Sequence, residues 1–471
     1  VVAGFSVRDG WTLLFHQDEN VKGRFWFFVS GFWLALPALA EMRAGAAIRT
    51  VTPDLSKEPV FMAGFDNNRR ATAIHDDLFA RCLALQPGET PLVICGVDSI
   101  GLFWDDVLRI RQTVKTKLGH NADVVVAALH DHQAPDTMGL WGPNAATSGI
   151  NEEYSSFVIE RTSEAALAAI GNLRPASIAL AKTHPPELDT FIHDNRPPDV
   201  HDSELILLAV TGADGKPIAT LINWANHPET LGSRNTQITA DYPAAIYKRL
   251  EERRGGVAVF VNGAVGGMQS PLGAKLPGIP DNSFEKAERI GQRVADIGAD
   301  ALEHAEAVNI TRYEFQERMV HIPITNKGFE QAAQANIYHG RKPSVDGQTS
   351  VPVGLIRLLD GSKPMLEIAL VPGELYPELS VGGIQKYDGA DFPDAPPEPA
   401  IKSLMHAPYR MLFGLANDEI GYIIPKSEWD NQPPWLQNAP KRWYGEQNSV
   451  GPEAAPIIAA TLKELCTTRP N

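Results

Sequence analysis

Two histidines, His130 and His132, stand where an apolar run ends. The run, Asp123-Val124-Val125-Val126-Ala127-Ala128-Leu129, is short, β-branched and nearly free of polar side chains. That is the pattern of a strand buried on both faces. Side chains alternate along a strand, so residues i and i+2 point the same way. Two imidazoles leaving one strand end together would start a zinc site, histidine being the commonest metal ligand. A loop that merely contains two histidines is the competing reading. Other apolar runs end in comparable residues. Asp98 follows Val97, Asn223 and then Asn226-His227-Pro228 follow Ile222, and Pro372-Gly373-Glu374 follow Val371. Asn417-Asp418-Glu419 and Tyr422 follow Gly414. Histidine and carboxylate drawn from several elements, with little Lys or Arg among them, is the donor pattern of a metal hydrolase. The glycine-rich stretch Asn262-Gly263-Ala264-Val265-Gly266-Gly267 could bring backbone N–H groups to an oxyanion. It has neither the Walker nor the dinucleotide spacing, and a tight strand-to-helix turn also accounts for it.

These residues need a scaffold, and the chain alternates strand-like and helix-like segments from Gly45 onward. Strands are expected at Pro91–Val97, Asp123–Leu129, Ser203–Val210, Pro217–Asn223, Val257–Val261, Thr311–Ile324, Met365–Val371 and Tyr409–Gly414. Helices are expected at Asp105–Leu118, Asn151–Ile170, Asp241–Arg254, Ser283–Ala307 and Glu453–Leu465, with Ser283 as an N-cap. The fold class is α/β, a layered mixed sheet with flanking helices and the site at strand carboxyl ends.

The 471 residues are 44% hydrophobic and 21% charged, as in a globular protein, and the net charge is −15. With no basic cluster, nucleic acid and anionic membrane surfaces are excluded as partners. Cys82, Cys95 and Cys466 show no metal-type spacing and suggest no disulfide framework, Cys95 reading as core filler. Lys22-Gly23-Arg24 precedes an apolar run, Phe25 to Ala40, that ends Ala38-Leu39-Ala40. This reads as a secretory signal peptide, with a membrane anchor or a buried helix as alternatives. Residues 1–40 are then an upstream segment plus signal peptide, with a translation start near residue 20. Residues 41–471 are a single catalytic domain, secreted or periplasmic, with no transmembrane span in the mature protein.

Several segments together resemble the neutral (alkaline, non-lysosomal) ceramidases, secreted zinc amidases. Leu129-His130-Asp131-His132-Gln133-Ala134-Pro135 is similar to their Thr-His-x-His-x-Gly-Pro motif. Asp194-Asn195-Arg196-Pro197-Pro198 resembles Asn-Arg-Ser-Pro, and Asn223 to His227 resembles Asn-(Trp/Phe)-x-x-His. Pro372-Gly373-Glu374 resembles Pro-Gly-Glu. Gly421-Tyr422-Ile423-Ile424 followed by Tyr444-Gly445 resembles the Gly-Tyr…Tyr-Glu pair, and Gly64 to Leu78 the early substrate-side loop. The resemblance implies one zinc ion held by His130, His227, Glu374 and Tyr422. It also implies a reacting amide lined by His132, Arg196 and Tyr444, with Arg196 donating to the substrate oxygen. Ser270 and Pro271 keep the register of the family's serine loop. Met268 and Leu272 replace its Asp and Asn, which puts a nucleophilic or positioning role for Ser270 in question. No segment corresponds to the family's C-terminal immunoglobulin-like domain.

The expected activity is therefore hydrolysis of an N-acyl amide, ceramide-like or related, by metal-activated water. His132 would move the proton. Alternatives are a small amide, ester or lactone cleaved on the same fold, and a non-catalytic envelope binding protein. The sequence gives no oligomeric state.

Overall fold

The computed structural model describes residues 42–57, 59–338 and 346–468. The expected signal segment, Phe25 to Ala40, lies outside them. No helix among the described residues is long and apolar enough to cross a membrane.

The largest sheet runs, in spatial order, through Val257–Asn262, Pro217–Trp224, Leu205–Gly212, Arg174–Thr183, Arg43–Thr50, Phe79–Gln86, Leu92–Val97 and Asp123–Ala128. Glu306–Val308 adds a short antiparallel partner to Arg174–Thr183. The first two strands of that order pair in parallel, as do the last two, and the rest are antiparallel. Strand twist accumulates across so many strands, and the end strands come together. The Asn262 side chain donates to the Leu129 carbonyl at 2.9 Å. Gly96 lies so close to the Phe260 carbonyl that a Cβ would come within 2.3 Å of it, so no larger residue fits there.

A second sheet, Arg312–Pro323, Gln348–Asp360, Lys363–Leu370 and Tyr409–Phe413, packs on the first. Ile356, Leu366, Ile368, Met411 and Phe413 share one core with Leu83, Ile94, Val125, Leu208 and Val259. The helices Trp104–Leu118 and Glu152–Gly171 cover one part of the large sheet. Tyr242–Arg254 and Phe284–Leu302 cover another, and Ala454–Thr467 backs the second sheet. The helix starts follow their caps. Asn151 accepts from the Tyr154 N–H at 2.9 Å, and Ser283 from the Lys286 N–H at 3.2 Å.

One expectation fails. Cys82 and Cys95 are disulfide-bonded, while Cys466 is free and buried. The two sulfurs meet because Cys82 and Cys95 are register partners on the antiparallel strands Phe79–Gln86 and Leu92–Val97. Pairing across a hairpin is invisible to a search for metal-type spacing. Thiol titration of the unfolded protein should therefore find one thiol without reductant and three with it. Three thiols in both conditions would remove the crosslink.

Candidate active site

The residues of interest lie where both sheets end. The strand Asp123–Ala128 stops two residues before His130, so strand alternation does not align the two histidines. A left-handed backbone at His130, φ 65°, turns the chain instead. Few L-residues adopt this region, and histidine is among those that do. The turn brings the His130 and His132 rings to 4.8 Å, centroid to centroid. Asn262 holds the neighbouring loop in place. Its amide donates to the carbonyls of Leu129 and Asn226, each at 2.9 Å, so the loops carrying His130 and His227 share one anchor. The His132 N–H donates to the Pro228 carbonyl at 3.0 Å and adds a second stitch.

The second sheet contributes the rest. Leu370 leads into the turn before Glu374, and Phe413 leads through Asn417 to Tyr422. Asn417 pairs with Val126, its N–H reaching the Val126 carbonyl at 2.8 Å, which pins this segment against the His130 strand. Glu374–Leu375 and Tyr422–Ile423 form a two-residue parallel ladder in which Glu374 and Tyr422 are partners. Partners in a ladder project to the same face about 5 Å apart, so the carboxylate and the phenol emerge side by side.

His130, His132 and His227 are buried, and a nitrogen of each lies within 4.8 Å of the others. The Nε2 atoms of His130 and His227 are both 3.2 Å from the same Oε2 of Glu374. Their Nδ1 atoms face the Ile100 carbonyl at 2.9 Å and the Gln269 carbonyl at 2.8 Å. A carbonyl only accepts, so each Nδ1 carries the proton. Each Nε2 faces a carboxylate, which only accepts, so the contact calls for positive charge, either a proton on Nε2 or a metal ion between the groups. A cation belongs among them, and the set fits a metal ion oriented by outer hydrogen bonds. Burial alone would raise the Glu374 carboxyl, but the neighbouring His130 and His227 outweigh it and hold the group at about 2. His132 differs in its partners. Its Nδ1 lies 3.2 Å from Oε2 of Glu229, and burial, with His130 and His227 beside it, drives its pKa well down, so the ring is neutral.

Tyr422 is buried next to Glu374, and Tyr444 stands half exposed with its ring 5.9 Å from that of Tyr422. Ser270 is fully buried, and its backbone N–H and carbonyl both pair with His193. The structure puts Arg196 elsewhere than the sequence suggests. Its Nη1 contacts both carboxylate oxygens of Glu446 at 2.6 Å, and Nη2 donates to the Glu428 carbonyl at 2.6 Å. The guanidinium is thereby occupied, and Arg196 is absent from the residues lining the cavity described next.

That cavity, of about 300 Å³, opens onto His130, His132, Glu374, Tyr422 and Tyr444. Its lining also includes the apolar side chains of Phe103, Met138, Trp141, Phe329 and Ile337. None of these wall residues stood out in the sequence, because apolar side chains carry no chemical signature. Glu229 was also missed. It lies two residues beyond His227, and following Asn226-His227-Pro228 one residue further would have found it.

No protein-family profile and no curated protein matches the chain. Solved structures do. The neutral ceramidase from Pseudomonas aeruginosa superposes with a TM-score of 0.71 at 16% identity, over 91% of this chain and 74% of that one. A ceramidase complexed with C2 superposes with a TM-score of 0.69, also at 16% identity, over 91% of this chain and 75% of that one.

Proposed function

We propose that this chain, which has a neutral ceramidase-like fold, is a zinc-dependent amidase acting on N-acyl amides with an apolar chain, such as ceramide-like N-acyl sphingosines. The observation that carries this reading is the cavity, lined both by the histidine–carboxylate cluster and by apolar side chains. His130, His227, Glu374 and Tyr422 would hold the ion, a nitrogen and oxygen set suited to zinc. Bound there, zinc supplies Lewis-acid polarisation of a carbonyl and a water of lowered pKa. His132, neutral and facing the cavity, takes a proton from the attacking water and returns it to the departing amine nitrogen. Tyr444 offers its O–H to the amide oxygen from the cavity mouth. The Cys82–Cys95 crosslink supports secretion or a periplasmic location, since such bonds persist in oxidising compartments.

A panel of N-acyl sphingosines of increasing chain length, run beside short amides and esters, tests the substrate class. Burying one methylene contributes about 0.8 kcal/mol, so kcat/KM should rise about fourfold per added CH2 while the chain still enters the cavity. Ile337→Asp should flatten that dependence without altering zinc content. A preference for short polar amides or esters would instead select the small-substrate reading.

A further inference from the structure

We propose that Glu229 is a positioning residue that fixes the ring orientation and tautomer of His132. The proposal rests on the amidase reading for its catalytic meaning and on geometry for its substance.

Glu229 is 1% exposed, and its Oε2 lies 3.2 Å from the His132 Nδ1. His132 is buried as well, and it lines the cavity. The loops are also tied at the same place, where the His132 N–H meets the Pro228 carbonyl. Gly64, with φ 92°, lies against the same edge of the ring. A Cβ there would come within 2.4 Å of Nδ1, so glycine is required for the imidazole to reach Glu229. The Phe65 ring meets the imidazole edge-on, 5.0 Å away.

The chemistry follows from which nitrogen carries the proton. A carboxylate accepts only, so contact with Glu229 favours the proton on Nδ1 and leaves Nε2 as the acceptor. Nε2 can then accept a proton from water as the C–O bond forms, and pass it to the amine nitrogen as the C–N bond breaks. Amide and water become carboxylic acid and amine, and His132 ends as it began.

The first test needs no turnover. In protein labelled with 15N-histidine, the His132 signals, identified by their loss in His132→Asn, should show the proton on Nδ1. Glu229→Leu should shift them toward the other tautomer. A wild-type proton on Nε2 overturns the proposal whether or not the protein hydrolyses amides. The second test is kinetic. Glu229→Leu should lower kcat by about 10–100-fold, the usual effect of losing such a partner. KM should stay within about twofold and metal content unchanged. Glu229→Gln, which keeps an accepting oxygen, should lose less, and it carries the test if the leucine variant does not fold. An unchanged kcat overturns the proposal, as does loss of metal from Glu229→Leu, which would make Glu229 a ligand. A wild type inactive on every substrate, but with the Nδ1 tautomer in place, would overturn the amidase reading alone.

Discussion

Replacing His130 with alanine should release the zinc and reduce amide hydrolysis by about a thousandfold or more. The ring supplies one of the two Nε2 atoms that meet Glu374 Oε2 at 3.2 Å, and its Nδ1 is anchored on the Ile100 carbonyl. Removing it takes away a proposed ligand and leaves a buried carboxylate with one imidazole in place of two. The lost Lewis acid is worth several kcal/mol in the transition state, and about 1.4 kcal/mol corresponds to each power of ten in rate. Alanine also tolerates the left-handed backbone, φ 65°, less well than histidine, which could lower activity by itself. His130→Asn separates the two effects, because asparagine tolerates the left-handed region. Both variants should bind no zinc by elemental analysis, and neither should show the rise in Tm that added zinc should give the wild type. His132→Ala is the contrasting case, retaining zinc while losing turnover. Equal zinc content and equal rates in wild type and His130→Asn would defeat the assignment.

What the sequence revealed about this site has a physical pattern. His130, His227 and Glu374 were legible because each follows an apolar run, and the residue after a buried strand is exposed to whatever the sheet end faces. The structure gathers these three, and the neutral ceramidase-like fold inferred from six motifs agrees with the superposed structures. Pairing across the fold was not legible. Cys82 and Cys95 look inert until the hairpin places them opposite each other. The strands Arg43–Thr50, Phe79–Gln86 and Arg174–Thr183 were missed because Arg81, Lys182 and several alanines blur their patterns, although Arg81 is buried against Glu251 at 2.6 Å. The second histidine was found for the wrong reason. Strand alternation was to align it with His130, whereas a left-handed turn does so. Arg196 shows the same limit from the other side. A motif identifies an arginine, but only the fold reveals that Glu446, 250 residues away, has claimed its guanidinium.

That claim leads to the second large effect. Arg196→Ala should destabilise the protein by about 3–5 kcal/mol, the cost of removing one partner from a buried ion pair. Glu446 is fully buried and contacts Nη1 through both carboxylate oxygens, so it would be left as an uncompensated charge. The Glu428 carbonyl would lose its donor as well. Arg196 also sits over the Trp443 and Tyr376 rings, at 5.6 and 5.4 Å from their centroids, and that packing would go too. Glu446 lies two residues beyond Tyr444 on the helix Tyr444–Gln447, so the ion pair also anchors the phenol at the cavity mouth. The double variant Arg196→Met/Glu446→Leu should recover much of the loss, because apolar replacement of a whole buried pair is often neutral or better. Denaturant unfolding of wild type, Arg196→Met, Glu446→Leu and the double variant gives the coupling energy directly. Hydrolysis rates on the same four separate structure from chemistry. If Arg196 only anchors, activity should return with stability in the double variant. If Arg196 donates to the substrate oxygen, stability should return and activity should not.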